Sequence, residues 1–168
     1  MNSDLRIRAL EQSDIEQAMR LVWEVFSEFE APEYGRQGAN EFRRYIEPCA
    51  VLTRMESGEL KLWGGFEHGE LKGVIAVRPR NPDVPENGLT GFGHISLLFV
   101  RKQYHRRGIA RALFETVKQA CAESGACGIT VNSSPYAVEV YRRLGFTPTD
   151  AGKCVNGIRY TPMKYILC

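Results

Sequence analysis

No apolar run in this chain approaches the ~20 residues that a bilayer-spanning helix needs. Each is cut within a few positions by a charge, a glycine or a proline. The opening MNSDLRIRAL carries an early acid and has neither an apolar stretch nor a small-residue cleavage site, so no secretory leader and a cytoplasmic location are expected. Cysteine is sparse: Cys49, Cys121, Cys127, Cys154 and Cys168 are odd in number, widely spread and form no C-x-x-C pair. That argues against a disulfide framework and a zinc site, and predicts reduced, mostly buried thiols. The three histidines, His68, His94 and His105, lack i,i+4 spacing, so no metal is expected. Excess charge is also missing. With 22 Lys plus Arg against 20 Asp plus Glu the net charge is +2, too little for general attraction to nucleic acid. Neither G-x-x-x-x-G-K-[ST] nor G-x-G-x-x-G occurs, which removes the usual sequence grounds for ATP hydrolysis or NAD binding.

What is present suits a globular chain of 168 residues, 43% hydrophobic and 25% charged, and residues 1–168 are expected to form one domain. Leu5, Ile7 and Ala9 alternate with arginines as in a strand. Ser13 with Glu16 reads as a capping box for a helix whose apolar face is Ile15, Met19, Val22, Phe26 and Phe29. Phe42, Tyr45 and Ile46 suggest a shorter helix, and Pro48 restarts the chain before Val51, Leu52 and Met55. Leu60 to Val77 reads as a hairpin turning at Glu67–Glu70. Arg80 to Gly91 reads as a loop able to overhang a site. His94 to Val100 has the apolar run of a strand covered on both faces. A helix from about Arg107 to Ser124, a strand at Ile129–Val131, a helix opened by Pro135 and closed by Gly145, and one or two final strands complete the pattern.

The chemistry-bearing stretch is FVRKQYHRRGIARALF, residues 99–114, in which a buried strand meets a basic turn, a glycine and a long helix. Unpaired backbone N–H groups and the positive dipole end of such a helix bind anions, and Gly108 with Ala110 lets a phosphate approach closely. Lys102, Arg106, Arg107 and Arg111 add countercharge. Further on, NSSPYAVEVYRRLGF, residues 132–146, sets Tyr141 one turn before a helix-ending Gly145-Phe146.

Together these segments resemble the GCN5-related N-acetyltransferase (GNAT) family. Its phosphate loop, Gln/Arg-x-x-Gly-x-Gly/Ala, is matched by His105, Gly108 and Ala110, and its second signature by Ala137, Tyr141 and Gly145-Phe146. The chain departs from the pattern at two positions, with His105 for Gln or Arg and Ser134 for the frequent Asn; backbone donors are untouched by either. The resemblance implies a mixed α/β fold, with a mostly antiparallel sheet of about six to seven strands flanked by about four helices and splayed between the fourth and fifth strands. It implies direct transfer of the acetyl group of acetyl-CoA to a primary amine. Strand residues Leu98, Phe99 and Val100 would meet the pantetheine arm. Residues Arg106, Arg107, Gly108, Ile109, Ala110 and Arg111 would hold the pyrophosphate, and His105 and Ser134 would join the cofactor site.

Within that reading Tyr141 is the candidate general acid, since a tyrosine with an unperturbed pKa of about 10 is protonated at neutral pH. His94 is the candidate base, with Glu24, Glu28 and Glu30 as competitors. Trp23, Phe26, Phe29, Tyr34, Phe42 and the 81–91 loop are candidate acceptor contacts, and the aromatics with Glu24, Glu28, Glu30 and Glu33 suit a cationic or aromatic amine. A homodimer paired through a C-terminal edge bearing Tyr160, Met163 and Tyr165 is a further expectation. Two other readings fit parts of the sequence. One is a non-catalytic module that holds CoA; the other is a nucleic-acid binder using Arg101, Lys102, Arg106, Arg107 and Arg111, which the modest charge disfavours.

Overall fold

The structure, a computed structural model, describes residues 4–79 and 91–167. Strand β1 (Leu5–Ala9) leads through a 3-10 turn at Gln12–Asp14 into helix α1 (Ile15–Phe29). The turn is closed differently from the Ser13–Glu16 box expected: Asp14 accepts from the Glu11 backbone N–H at 2.8 Å and from Arg8 at 2.8 Å. Helices α2 (Arg36–Tyr45) and α3 (Pro48–Glu56) follow, the second opened by its proline. Strands β2 (Lys61–Glu67) and β3 (Glu70–Arg78) form the expected hairpin, whose turn holds His68 and Gly69 at φ 52° and 77°. A turn with both central residues left-handed matches the twist of the strands it joins.

Strand β4 (Phe92–Val100), helix α4 (Ile109–Glu123), strand β5 (Gly128–Ser133) and helix α5 (Val138–Leu144) come next. The chain ends in the short strands β6 (Thr147–Pro148) and β7 (Lys153–Val155) and the longer β8 (Ile158–Ile166). The sheet runs β1-β2-β3-β4-β5-β8-β6, with β7 pairing β8; every neighbouring pair is antiparallel except β4–β5. Among the described residues, eight strands and five α-helices exceed the expected counts because the two- and three-residue strands β6 and β7 carry no periodicity to read, and because α3 is a helix in its own right.

Side chains alternate across a strand, so β3 feeds a core on each side of the sheet. Ile75 and Val77 face α4 and α5 with Leu113, Phe114, Leu144 and Phe146, while Val74 and Ala76 face α1 and α3 with Met19, Val22 and Val51. Two sequence expectations are corrected. Of the cysteines described, only Cys121 is buried; Cys49, Cys127 and Cys154 are exposed. Strand β8 offers no continuous free edge, since it lies between β5 and β6 and also pairs β7, and Met163 is fully buried. The loop expected over residues 81–91 falls almost wholly outside the described residues. Among the described residues no helix is long and apolar enough to cross a membrane.

Candidate active site

The site begins where β4 and β5, the only parallel pair among the described residues, come apart. Strands β4 and β5 pair from Phe92↔Gly128 to Ile95↔Val131. Beyond that, β4 continues against β3 alone and β5 against β8 alone. From Ser96 to Val100, therefore, the side of β4 turned toward β5 carries backbone groups that the sheet leaves unused. The β3 register also shifts here, with Ala76 opposite Leu97 and Val77 opposite Ile95, which makes Ser96 an extra residue in a β-bulge. The parting strands open a cleft of about 140 Å³. Leu98 and Phe99 line it from β4, Ser134 and Tyr141 from the β5 side, Glu30, Tyr34 and Phe42 from the α1–α2 side, and Ile158 from β8.

The basic turn lies past the C-terminal end of β4. Arg106 at φ 63° and Gly108 at φ 81° are both left-handed, and helix α4 starts immediately afterwards. A left-handed arginine costs on the order of 1 kcal/mol and collects at ligand-binding turns. His105 does not project freely: its Nε2–H donates to the Val100 carbonyl at 2.6 Å, which ties the turn to the end of the strand. The imidazole also packs 5.3 Å from the Phe29 ring, which stacks in turn on Tyr136 at 5.1 Å.

The surrounding cations divide into two groups. Lys102 pairs with Glu28 at 2.8 Å, Arg101 with Glu24 at 2.7 Å, and Arg111 donates to the Arg143 carbonyl at 2.8 Å, docking α4 onto α5. Arg106 and Arg107 have no ion pair among the described residues, although Arg107 approaches the Tyr104 ring. The countercharge expected of Lys102 and Arg111 is thus largely committed elsewhere. Ile109 is 2% exposed and anchors α4 in the core, so its contribution to an anion is its backbone N–H. Ala110 packs partly against the same core.

At the other end of the cleft stand the titratable groups. Tyr141 is held by helix α5, which Gly145 terminates at φ 109°, a left-handed C-cap; Phe146 N–H closes the turn on the Tyr141 carbonyl at 2.9 Å. Burial raises the Tyr141 hydroxyl above the usual tyrosine range, and the charges of Glu30 and Tyr34 push it the same way. The hydroxyl therefore keeps its proton well past neutral pH. Tyr34 is raised likewise, by burial and then by Glu30. Glu30 is 9% exposed, and burial lifts its carboxyl above the normal carboxylate range. The Ser134 hydroxyl offsets part of that lift yet stands outside hydrogen-bond geometry; it and the Ser96 hydroxyl are buried with no partner among the described residues.

His94 does not meet the expectation placed on it. Its ring is buried away from the cleft lining and touches Thr130 Oγ1 through Nδ1 at 2.8 Å. Burial, reinforced by the charge of Arg78, pushes its pKa down to about 3. A base so weak and so enclosed is a poor proton acceptor at neutral pH. Of its competitors, Glu24 and Glu28 are spent on the ion pairs above, and only Glu30 reaches the cleft. Of the expected acceptor contacts Tyr34 and Phe42 line it, whereas Phe26 is fully buried behind them, 4.1 Å from Phe42. Ser96 and Ile158 also line the cleft, and the sequence reading named neither. A bulge depends on strand register, and Ile158 arrives from the far end of the chain; neither leaves a local signal.

Among the described residues no cluster of three His, Cys, Asp or Glu side chains could hold a metal ion. Residues 30–167 match the family model described as acetyltransferase (GNAT) domain. No curated protein matches the sequence. Many solved structures share the fold. A GCN5-related N-acetyltransferase of Rhodopseudomonas palustris superposes with a TM-score of 0.78 at 18% identity, covering 99% of this chain and 98% of its own. The PaiA N-acetyltransferase of Thermoplasma acidophilum, in complex with coenzyme A, gives 0.76 at 17%, covering 96% and 98%. A GNAT-family acetyltransferase of Brucella melitensis in complex with acetyl-CoA gives 0.67 at 17%, covering 98% and 88%. The match to the family model extends over most of the chain, from the α1–α2 side of the cleft through the basic turn and Tyr141 to β8, and the chain belongs to the GNAT acetyltransferase family.

Proposed function

We propose that this protein transfers the acetyl group of acetyl-CoA directly to a primary amine bound in the cleft between β4 and β5. The observation that carries this reading is the cleft itself, where unused β4 backbone, two serine hydroxyls with no partner among the described residues and a protonated tyrosine converge. Acetyl-CoA fits these residues: an extended amide-bearing arm can complete the free side of β4 from Ser96 to Val100, as an added strand would. The pyrophosphate would meet the left-handed turn at Arg106–Gly108 and the N-terminus of α4, with Arg106 and Arg107 as countercharge. Structures of fold relatives with coenzyme A or acetyl-CoA bound support the same choice.

Acetyl-CoA supplies a thioester whose carbonyl carbon the amine nitrogen attacks; an N–C bond forms and the C–S bond breaks. Negative charge develops on the carbonyl oxygen, and preorganised N–H donors on β4 are suited to stabilise it. The departing thiolate takes a proton, and Tyr141 is the donor in this reading because its hydroxyl stays protonated at working pH. His105 acts here by bracing the turn on Val100, and Ser134 by lining the cleft between Glu30 and Tyr141. The test is thiol release from acetyl-CoA across a panel of amines with wild type and Tyr141→Phe. The reading predicts amine-dependent release that the variant largely loses while acetyl-CoA still binds; binding without transfer to any amine would instead favour a CoA-holding module.

A further inference from the structure

The acidic residues at the end of α1 meet different fates. Glu24 and Glu28, one helical turn apart, face outward and pair with Arg101 and Lys102. Glu30, two residues beyond, turns into the cleft, where no cation pairs with it among the described residues. A buried carboxylate without a countercharge is costly, and folds retain one where a ligand supplies the missing charge or proton. Around it lie Tyr34, Phe42, Phe99 and Ile158, and among the described lining residues none is basic.

We infer that Glu30 is the group that receives the acceptor's amino nitrogen, and that the acceptor carries this nitrogen on an aromatic or apolar stem with no carboxylate beside it. The inference rests on the acetyl-transfer reading above. An arriving ammonium gives one proton to the Glu30 carboxylate: an N–H bond breaks, an O–H bond forms, and the nitrogen lone pair becomes free to attack. The ammonium gives up two protons in all. One ends on the departing sulfur by way of Tyr141, and the other leaves Glu30 for water. The ring faces of Tyr34 and Phe42 suit an ammonium and an aryl stem alike. A carboxylate on the carbon next to the nitrogen would lie against Glu30 with no cation among the described lining residues to meet it, which disfavours a free α-amino acid as substrate. The groups facing Glu30 are Tyr34 from the turn after α1, Asn132 and Ser134 from the end of β5, and Tyr141 from α5.

The test titrates phenethylamine and phenylalanine, which share a stem and differ by the carboxylate, into CoA-saturated wild type, Glu30→Gln and Glu30→Asp, with acetyl-CoA titrated into each. Phenethylamine is expected to bind wild type, phenylalanine about tenfold or more weaker, and Glu30→Gln to weaken phenethylamine by about tenfold or more, the size of a lost hydrogen bond to a charged group. Acetyl-CoA affinity stays within about twofold, because the pyrophosphate contacts assigned above are made by the Arg106–Gly108 turn and the start of α4 rather than by Glu30. The melting temperature of Glu30→Gln rises, since a costly buried charge is removed; a merely structural glutamate would lower it. Glu30→Asp, which keeps the charge on a shorter stem, loses less affinity than Glu30→Gln and serves if the latter fails to fold. Equal binding of the two probes, no binding of phenethylamine, or unchanged phenethylamine affinity in Glu30→Gln overturns the inference. Failure of wild type to bind acetyl-CoA overturns the acetyl-transfer reading itself, which separates the two.

Discussion

The two ends of the cleft are built by opposite means. The basic turn and the N-terminus of α4 occupy one continuous stretch, residues 101–111, braced by short-range contacts such as His105 on Val100. The end proposed to handle protons gathers Glu30, Ser96, Ser134, Tyr141 and Ile158, drawn from nearly the whole length of the chain. An anion site needs only backbone N–H groups and positive φ, which a local motif can supply. A proton-handling site needs burial and opposed environments, which only tertiary packing supplies. Changes in the turn should therefore act on acetyl-CoA affinity, and changes at the assembled end on turnover and acceptor.

The sharpest break in that comparison is Tyr141→Phe. It should lower kcat by ~10²–10⁴-fold, the usual contribution of a positioned acid, with acetyl-CoA affinity unchanged; equal loss of both would mean that the two ends are not separable. At the other end, Arg106→Ala with Arg107→Ala should weaken acetyl-CoA by about tenfold or more in calorimetry, with a shallower salt dependence and little change in kcat. Unaltered affinity would remove these arginines from the pyrophosphate site.

A smaller effect sets the buried His94 apart from the site. Its folded pKa of about 3 lies below the ordinary value of 6.5, so only the unfolded chain takes up a proton between them. Stability is full above about pH 6.5 and falls as pH drops through that window, by up to about 1.4 kcal/mol per pH unit. His94→Gln should flatten the dependence of melting temperature on pH between about 6 and 5 while sparing the pH-rate profile. An unchanged slope would contradict the burial argument.

The mildest probe is Gly38→Ala. Alanine normally favours a helix by about 1 kcal/mol over glycine, but here its Cβ would stand 3.0 Å from Ile158 and 3.1 Å from the Gly157 backbone, where the β7–β8 hairpin meets α2. Gly35 N–H also donates to the Gly157 carbonyl at 3.2 Å, so the hairpin tip is tied to the start of α2, whose Phe42 lines the cleft. The variant should shift acceptor KM by a few-fold, read in steady-state kinetics, and leave acetyl-CoA affinity alone.

Legibility in the sequence follows the same division. The β2–β3 hairpin, the β4 strand, α4 and the Gly145 stop were readable because each rests on local periodicity or on a residue whose backbone freedom the turn requires. So were the basic turn and Tyr141, both carried by contiguous motifs. Glu30 could not be told from Glu24 and Glu28, because spacing on a helix does not reveal which acid the rest of the fold covers. His94 misled for the converse reason: a histidine's usefulness depends on its exposure, and the covering of β4 and β5 is a property of the whole sheet. Lys102 and Arg111 were visible as charges, but their partners Glu28 and the Arg143 carbonyl lie 74 and 32 residues away.

The central claim is that the parting of β4 and β5 forms an acetyl-CoA site whose pyrophosphate end is the turn at Arg106–Gly108. It is tested most directly by titrating the wild-type protein with acetyl-CoA and with acetyl-pantetheine, which lacks the pyrophosphate. The account predicts saturable one-to-one binding of acetyl-CoA and binding of the shortened thioester about tenfold or more weaker. Absence of acetyl-CoA binding, or equal affinity for the two, would contradict it.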